Sequence, residues 1–526
     1  MANGYENVDD TQVVQGNVME CTVYPKHPAD PTSDRAAVEF AINRVGKGGT
    51  VVLKPHRRNE INVTPFDFGG DSVDNAIYLA KPGLDVTIKG ERVAGVQPEC
   101  NDPIAGVAEN GGATIVGGRV PFVVGINSAG VQTQVTVKIV DIRFRNFYRA
   151  AIRVFATKGQ NLISGCSFVN YDQSNVGVGP DDPQGAWPIV ADNAAAPDNL
   201  AGQLTITGNF FGPPLAAGPM NNLLHVSFCN LTPFTFSNNR ITDMRWLGIV
   251  VYANKGETII SRNRITKNSS FLLEGAGISV GAWPAISPTD PPEGKTITID
   301  SNIVEVASLN SNGIQVFLMD GKYYNPKAPD GRKIVVRDNT VNMVGGGVQE
   351  RAAMACLGAC SKSEWVNNTV KGEAPYGIWV SDHASMQIAG NPVLAPSDNT
   401  FRNNSLESFT ATKSQAFIGA TVEHLKLLDN AFGAVSNSNP HKPPLDDAVA
   451  DIRCKGHLSE ISGNNFQHSG LKGWETPPQW LGCIYLDSES NQIQVKYHDS
   501  DFPPVPLIAK EIYNAGKQNH IERLGP

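Results

Sequence analysis

Three carboxylates, Asp320, Glu350 and Asp382, recur at intervals of 30 and 32 residues, and each follows a short run of alternating apolar residues. A pair of carboxyl groups can cleave a glycosidic bond, one protonating the leaving oxygen while the other activates water or attacks the sugar. We therefore treat these acids as catalytic candidates. Three turn-forming acids would also fall near one another by chance, and that alternative stays open.

The runs before these acids share a pattern in which Ile or Val alternates with polar or aromatic residues. Because side chains alternate between the two faces of a strand, the Ile and Val positions are expected to point inward and the residues between them outward. Aromatic and amide side chains suit sugar rings, which offer apolar faces and hydroxyl groups. We expect six residues to contact the substrate: His225, Tyr252, Gln315, Lys322, Gln349 and Trp379. The alternative is that the aromatic residues among them form a small core under inserted loops.

A second sequence motif, in which Asn precedes a short strand, predicts how these runs are positioned. Because its shortest interval is 24 residues, it is typical of one coil of a solenoid, and longer intervals indicate loops inserted at a corner. Asn tolerates left-handed backbone angles, and stacked Asn side chains can hydrogen-bond from coil to coil. The asparagines of the series are Asn209, Asn239, Asn263, Asn302, Asn339, Asn368, Asn404, Asn430 and Asn465.

The segment SDRAAVEFAINRVGKGGTVVL at residues 33–53 predicts a helix, a glycine stop and a buried strand. Ser33 or Asp34 can cap the helix, and Val38, Ala41 and Ile42 share one face. The segment resembles the entry of the right-handed parallel β-helix proteins of the pectate-lyase-like superfamily, in which it covers the open end of the solenoid. The resemblance covers roughly residues 31–490, and the fold that it implies carries hydrolases, lyases, epimerases and non-enzymes.

The run Trp379–His383 is similar to the Trp-Ile-Asp-His strand end of pectate lyases, with Ser381 inserted before the Asp-His pair. In that interpretation Arg351, Lys322 or His383 would act as the base. Arg453 or Gln349 would then neutralise a uronate carboxylate. No Arg-Pro motif stands where the lyases have one.

The composition bounds the remaining properties. A net charge of −8 disfavours nucleic acid or an anionic membrane as the main partner. No apolar run is long enough for a membrane helix, and the spacing of the eight cysteines does not indicate a zinc site. The sequence indicates no cofactor. The first residues lack the features of a signal peptide, so the protein either stays inside the cell or is a mature chain, and we expect a mature secreted or periplasmic chain. Homo-oligomerisation stays open.

The sequence therefore predicts an all-β fold, a single-stranded right-handed parallel β-helix with a short capping helix near residues 34–45. We expect an N-terminal arm at 1–30, the β-helix at 31–490 and a tail packed on the body at 491–526. The predicted function is glycoside hydrolysis of a poly- or oligosaccharide, with Asp320, Glu350, Asp382, Arg351 and His383 as catalytic candidates. Two alternatives remain: a polysaccharide lyase or epimerase acting on uronates, and a non-catalytic glycan-binding or structural solenoid.

Overall fold

The structure is a computed structural model of the chain. It describes residues 7–26, 30–55, 64–70, 76–91, 113–155, 159–169, 187–192, 202–212, 224–227, 231–242, 247–252, 254, 256–267, 275–281, 296–307, 311–318, 333–344, 351–358, 360, 362–382, 396–436, 448–469, 471–472, 479–480, 483–502 and 512–525.

One α-helix, α1 (Pro31–Arg44), and a 3-10 helix (Asp499–Asp501) accompany 44 strands in the described residues. The strands of the first half of the chain are β1 (Val8–Val14), β2 (Asn17–Val23), β3 (Gly49–Leu53), β4 (Phe66–Asp67), β5 (Ile77–Leu79), β6 (Asp85–Gly90), β7 (Thr114–Val116), β8 (Phe122–Val124), β9 (Thr136–Val140), β10 (Arg143–Arg145), β11 (Ile152–Phe155), β12 (Gln160–Ser164), β13 (Ser167–Val169), β14 (Ile189–Asp192), β15 (Gly202–Thr207), β16 (Phe210–Phe211), β17 (Leu224–Ser227), β18 (Leu231–Ser237), β19 (Arg240–Ile241), β20 (Leu247–Tyr252), β21 (Thr258–Ser261) and β22 (Arg264–Lys267).

The second half continues the same organisation. Its strands are β23 (Gly275–Gly281), β24 (Thr296–Asp300), β25 (Ile303–Val306), β26 (Ser311–Leu318), β27 (Lys333–Arg337), β28 (Thr340–Met343), β29 (Ala352–Gly358), β30 (Ser363–Val366), β31 (Thr369–Ser381), β32 (Thr400–Arg402), β33 (Ser405–Ile418), β34 (Lys426–Leu428), β35 (Ala434–Ser436), β36 (Ala448–Val449), β37 (Ile452–Cys454), β38 (Glu460–Ser462), β39 (Leu471–Lys472), β40 (Gln479–Trp480), β41 (Ile484–Leu486), β42 (Gln494–Tyr497), β43 (Ile512–Asn514) and β44 (His520–Arg523).

The chain divides into two compact units, residues 1–244 with 254–264, and residues 245–253 with 265–526. In each unit a regular coil contributes up to three strands, and each strand pairs in parallel with its equivalent in the next coil. In the first unit β9, β10 and β11 represent the first, second and third faces of a coil. In the second unit β24, β25 and β26 do the same. This pattern confirms the predicted parallel solenoid.

The second and third faces merge in two coils of the second unit. Strands β31 and β33 are 13 and 14 residues long, and they pair with each other across both faces with register shifts between the halves. The third face of the second unit is therefore built in order from β20, β23, β26, β29, the ends of β31 and β33, β37, β41 and β43. We use these three faces below to locate the candidate site.

Asparagine ladders at the corner between the first and second faces confirm the predicted coil-to-coil hydrogen bonds. In the first unit Asn209 donates through Nδ2 to Asn239 Oδ1 at 3.0 Å, and Asn239 donates to Asn263 at 3.1 Å. In the second unit the ladders are Asn302–Asn339–Asn368 and its continuation Asn404–Asn430–Asn464. Each buried amide is thereby satisfied by its neighbours.

Two details of the turn prediction were wrong. The last ladder residue is Asn464 rather than Asn465, whose side chain instead accepts from Gln467 N. The left-handed residue is the one before the ladder asparagine, such as Asn238 at φ 54° and Asn367 at φ 56°. The ladder position therefore requires an amide that donates and accepts along the stack, while the preceding position requires tolerance of positive φ.

Helix α1 packs against β2, β3 and β4, with Ala37, Val38, Ala41 and Ile42 buried on the predicted face. Its N-cap is Asp30, whose carboxylate accepts from Thr32 N and Ser33 N, so the predicted caps Ser33 and Asp34 were wrong. Pro31 explains the earlier start, because proline is favoured in the first turn of a helix.

The two ends of the chain carry regular strands. Within the predicted arm, β1 and β2 form an antiparallel hairpin, and β2 pairs in parallel with β3. Within the predicted tail β42 pairs with β44, and β43 pairs with β41, which precedes the tail; both pairings are parallel. No helix among the described residues is long and apolar enough to cross a membrane.

Candidate carbohydrate-binding and catalytic face

One row of residues runs along the outside of the third face in the second unit, and we call it the outer row. Ile249, Ile278 and Ile314 are fully buried on the inner side of their strands, so the residue after each belongs to the opposite side. Each member is the Cα partner of the next, and strands of a sheet lie about 4.8 Å apart. The outer row consists of Val250, Ser279, Gln315, Ala355, Trp379, Phe417, Arg453, Tyr485 and Tyr513.

The register differs at three coils from the outward positions that the sequence predicts, which we call the sequence frame. In runs of the form Gly-Ile-x or Gly-Val-x the residue x is expected to face outward, which predicts Gln349 in this row, and the run at residues 450–453 predicts Asp451. The structure has Ala355 and Arg453 there instead. The third-face strand of the first of these coils is β29, which begins after Gly347–Arg351. The frame also omitted Phe417. The end of β33 lacks the Gly-Ile phrase, and the alternation Ala416-Phe417-Ile418 is the signal that would have revealed it.

The middle of the outer row is an aromatic cluster that is closed to solvent. Trp379 is 3% exposed, and it packs with Phe317, Tyr376 and three smaller residues, against which Phe417 also lies. The Tyr376 ring centroid is 5.8 Å from that of Trp379 and 5.5 Å from that of Phe417. Trp379 therefore supports this face from beneath, while the half-buried Phe417 ring reaches its surface.

Gln315 is held by an amide network at one end of this cluster. Its Nε2 donates to Ser279 Oγ at 2.8 Å, and its Oε1 accepts from Asn312 Nδ2 at 2.8 Å. Asn312 Oδ1 in turn accepts from Ala352 N at 2.7 Å. Because both ends of the Gln315 amide are bonded, its orientation is fixed before any ligand arrives.

The other end of the outer row is polar and half-buried. Arg453 Nη2 lies 3.4 Å from Asp487 Oδ2, and the Tyr485 and Tyr513 ring centroids are 5.3 Å apart. Burial would raise the pKa of Asp487, but the Ser488 hydroxyl, Lys455 and Arg453 outweigh it and lower that pKa. Burial, followed by the Asp487 charge, raises the pKa of Tyr485. This end therefore places the Asp487 carboxylate beside Arg453, with the Tyr485 and Tyr513 rings next to them.

Of the three predicted acids, Asp382 lies in the described part of the chain. It follows the last residue of β31, is half-buried, and its Oδ1 accepts from Ser381 Oγ at 3.2 Å. Ser381 occupies the same row as Leu357, its Cα partner, and this row lies two residues beyond the outer row. Asp382 therefore extends from the edge of the strand that carries Trp379.

Several other candidates lie outside the described residues: Asp320, Lys322, Gln349, Glu350 and His383. For His225 and Tyr252 the structure describes the strand backbone alone, in β17 and β20. Tyr252 is the Cα partner of Gly281, which in turn pairs with Phe317, as the sequence frame predicted.

Arg351 is fully buried, so its side chain lies away from the solvent. Its carbonyl oxygen accepts from Tyr376 N at 3.1 Å, and its Nη2 donates to the carbonyl oxygen of Glu373 at 3.4 Å. Burial lowers the pKa of Arg351 to about 10, with the Glu373 charge acting in the opposite direction. The guanidinium is therefore cationic at neutral pH and is held against the backbone of β31.

Lys413 was missed by the sequence analysis. Its Nζ lies 5.6 Å from the centroid of the Tyr376 ring, a cation–π arrangement beside Phe417. Within the described part of the chain, no three His, Cys, Asp or Glu side chains are grouped so that they could hold a metal ion.

Comparison with known proteins agrees with this architecture. A family described as the right-handed β-helix region matches residues 225–406. Together with the parallel pairing, this match identifies the fold as a right-handed parallel β-helix. A search of curated protein sequences found no match.

Solved structures with some similarity include three kinds of protein. A DFA-IIIase from Arthrobacter chlorophenolicus A6 in complex with GF2 has a TM-score of 0.39 at 12% identity, covering 94% of this chain and 93% of that one. The A-module of a mannuronan C-5 epimerase from Azotobacter vinelandii has a TM-score of 0.34 at 11% identity, covering 94% of both. A mannuronic acid specific family 6 polysaccharide lyase from human gut microbiota has a TM-score of 0.34 at 12% identity, covering 96% and 91%. Similarities of this size carry no information about the reaction of this chain.

Proposed function

We propose that the protein is a carbohydrate-active enzyme, a glycoside hydrolase that cleaves a poly- or oligosaccharide along the third face of the second unit. The observation that carries this proposal is the outer row, in which aromatic and polar side chains align across consecutive strands and Asp382 extends from the edge. Aromatic faces stack on the apolar faces of sugars, and the polar groups bind hydroxyls.

In the proposed mechanism Asp382 acts with Asp320 or Glu350 as the acid and the base or nucleophile. Strands β26 and β31 are separated by β29 alone. Carboxylates extending from the same level of β26 and β31 would lie about 10 Å apart, near the upper limit for an inverting pair, whereas neighbouring strands would give about 5 Å, the retaining distance. The stereochemistry of the product would therefore identify which pair reacts.

The proposed subsites follow the face on either side of these acids. Gln315 and Tyr252 belong to coils before Trp379, with Gln349, Lys322 and His225 as further candidates from the sequence. Phe417, Tyr485 and Tyr513 add rings on the other side. The buried Trp379 would act by supporting Phe417 rather than by stacking on a sugar itself.

The test is a panel of neutral and acidic glycans assayed for release of reducing ends, with wild type and the variants Asp382→Asn, Asp320→Asn and Glu350→Gln. Loss of an acid or nucleophile is expected to reduce kcat by about 100-fold or more. Asp300→Asn on the first face, where Asp300 pairs with Arg337 at 3.1 Å, is the matched control. Full activity in all three variants would contradict the assignment, and no turnover of any glycan would favour a non-catalytic solenoid.

Arg453 favours a second candidate function, a lyase or epimerase acting on uronates. It is a guanidinium in the outer row with Tyr485 as its neighbour, and a guanidinium can neutralise the carboxylate beside which a proton is abstracted. Arg351, Lys322 and His383 were the bases considered from the sequence, and the buried position of Arg351 leaves Lys322 or His383 as the base for this mechanism. An unsaturated product that absorbs ultraviolet light would distinguish a lyase from a hydrolase.

A further inference from the structure

The first unit carries an arginine-rich coil that the proposed reaction does not use. The segment RFRNFYRAAIR at residues 143–153 contains four arginines, all half-buried. We call Arg143, Arg145, Arg149 and Arg153 the arginine coil.

The fold directs these side chains to the outside. Phe144 lies between Arg143 and Arg145 and stacks in the core on Phe168, with ring centroids 5.2 Å apart, so the two arginines lie on the opposite side of β10. Arg153 alternates in the same way with the buried Ile152 and Val154. The second and third faces of one coil thus both present guanidinium groups outward.

The preceding coil extends this cluster. Arg149 N donates to the carbonyl oxygen of Arg119 at 3.1 Å, which stacks these two arginines at the corner between the second and third faces. In the following coil Trp187 N donates to the carbonyl oxygen of Arg149 at 2.6 Å. Five arginines therefore occupy two adjacent coils.

Apolar and aromatic side chains surround the guanidinium groups. The Arg153 guanidinium lies over the Phe155 ring, 4.8 Å from its centroid. Val123 and Val190, the Cα partners of Arg153 on either side, are 7% and 6% exposed. A guanidinium held over a ring and between apolar side chains is partly dehydrated, which strengthens its attraction for an anion.

The electrostatics of this coil favour an anionic ligand. Arg143 and Arg145 project from the same side of a three-residue strand, and burial, followed by the Arg145 charge, lowers the pKa of Arg143 to about 10. Arg143 stays cationic at neutral pH, and Arg145 lies beside it on the same side of the strand. Among the described residues Arg145 Nε and Ser167 Oγ, the latter on the strand next to Arg143, have no hydrogen-bond partner.

We propose that the arginine coil is a binding site for the acidic groups of a glycan, carboxylate or sulfate, on the first unit and separate from the proposed catalytic residues of the second unit. The planar guanidinium presents two parallel donors that match either oxyanion. The identification of the ligand as a glycan rests on the proposed function, whereas the recognition of an acidic group rests on the arginines. The overall charge of −8 makes a nucleic acid the weaker candidate.

The test is isothermal titration calorimetry of the full chain with two matched pairs of polymers. Polygalacturonate against its fully methyl-esterified form tests carboxylate, and dextran sulfate against dextran tests sulfate. We expect binding of one acidic member and at least about ten-fold weaker binding of its neutral partner. The affinity should fall with added salt.

The variants are the double substitution of Arg143→Gln with Arg145→Gln, and the matching double substitution to lysine. The glutamine pair should weaken binding of the acidic polymer about ten-fold or more, and the lysine pair should lose less because it keeps the charge. Arg337→Gln, at an exposed arginine on the first face of the second unit, should bind like wild type. Circular dichroism and thermal unfolding verify that each variant folds.

The outcomes separate this inference from the proposed hydrolase. Equal affinity for acidic and neutral polymers, or unchanged binding by the glutamine pair, would overturn the arginine site. A lowered unfolding temperature of the glutamine pair, with no binding of either acidic polymer by wild type, would show that the arginines serve the fold alone. Binding of the acidic polymer by Asp382→Asn with turnover abolished would support both proposals. Binding by an otherwise inactive wild type would sustain the arginine site while the hydrolase proposal fails.

Discussion

The outer row of the second unit and Arg153 of the arginine coil in the first unit occupy equivalent positions on the outside of the third face, yet the chemistry of the two regions differs. The outer row presents Phe417, Tyr485 and Tyr513, interrupted by one arginine. In the first unit the equivalent row is Tyr78, Val123, Arg153 and Val190, with further guanidinium groups on the second face. The coil thus supplies positions at a fixed spacing, and the side chains in those positions decide which ligand each unit suits.

The two units also differ in how they hold buried acids. Asp34 in the first unit accepts from Lys26 N at 2.7 Å and Asp67 N at 3.0 Å, and burial raises its pKa to about 6. Asp451 in the second unit is fully buried beside the Ser469 hydroxyl, and burial raises its pKa to about 8. Two backbone donors oppose the effect of burial at Asp34, whereas the Ser469 hydroxyl and the Cys483 thiol oppose it at Asp451.

The largest expected effect separates the two regions by activity. Asp382→Asn should abolish turnover, with kcat lower by about 100-fold or more, because the amide can neither donate an acidic proton nor act as a base. The paired substitution of Arg143 and Arg145 should leave kcat on a neutral glycan unchanged. Steady-state kinetics on the same substrate would check both. An equal loss of kcat in both variants would show that the two regions do not differ in their role in turnover.

The pH dependence of stability should distinguish the two buried acids. A raised folded-state pKa means that the folded chain keeps a proton that the unfolded chain releases. The contribution of this proton to the free energy of unfolding is fully present below pH 4 and is lost as the pH rises. For Asp451 the loss continues to about pH 8 and amounts to on the order of 6 kcal/mol. For Asp34 it ends near pH 6 and is smaller.

Thermal unfolding of wild type and Asp451→Asn between pH 4 and pH 9 measures this effect. The asparagine variant should lose less stability between pH 6 and pH 8 than wild type, because its amide does not titrate. Asp34→Asn is the comparison in the first unit, where the change between pH 6 and pH 8 should stay like that of wild type. Parallel curves for wild type and Asp451→Asn would show that Asp451 does not titrate in this window.

Trp379→Ala should destabilise the second unit by about 3–5 kcal/mol, because it opens a cavity among Phe317, Tyr376 and Phe417. Chemical denaturation followed by circular dichroism measures the loss. Phe155→Ala, in the apolar surroundings of Arg153, is the comparison in the first unit. A loss below about 1 kcal/mol for Trp379→Ala would indicate that its ring is not part of a packed core.

The smallest expected effect concerns the surface rings of the outer row. Tyr513→Ala should raise KM on a neutral glycan by about 3- to 10-fold and leave stability nearly unchanged, because a half-buried ring that stacks on a sugar contributes about 1 kcal/mol to binding. Affinity of the first unit for an acidic polymer should not change. A larger effect on unfolding than on KM would place Tyr513 with Trp379 among the supporting residues.

The periodicity of the sequence predicted the fold, but it predicted only some of the residues in the outer row. The Asn motif predicted the ladder residues between Asn209 and Asn430. The Ile and Val positions of β23, β26 and β31 are buried, as predicted. The frame failed where a coil lacks the Gly-Ile run, and where the third-face strand starts later than that run. The end of β33 has Ser414-Gln415-Ala416 instead of Gly-Ile, and β29 begins five residues after the Gly347 phrase.

Exposure was beyond what the sequence could predict. An outward position of a strand is exposed only if nothing covers it, and period two cannot distinguish Trp379, which is closed to solvent, from Phe417, which is half-buried. The arginine coil escaped notice for a related reason. Its four arginines are evident in RFRNFYRAAIR, but their common orientation requires the alternation of Phe144 and Ile152 toward the core.

The sequence by itself determined the repeating coil, the asparagine ladder and the inward apolar positions, because these depend on local spacing and on contacts between equivalent residues of successive coils. Only the tertiary structure decided the register of the outer row, the burial of Trp379 and Arg351, and the shared direction of the arginines. Those properties depend on where each coil starts its third strand and on which side chains neighbouring coils bring over it. In a repeat of variable length, the local sequence determines neither the start of the third strand nor the side chains that cover it.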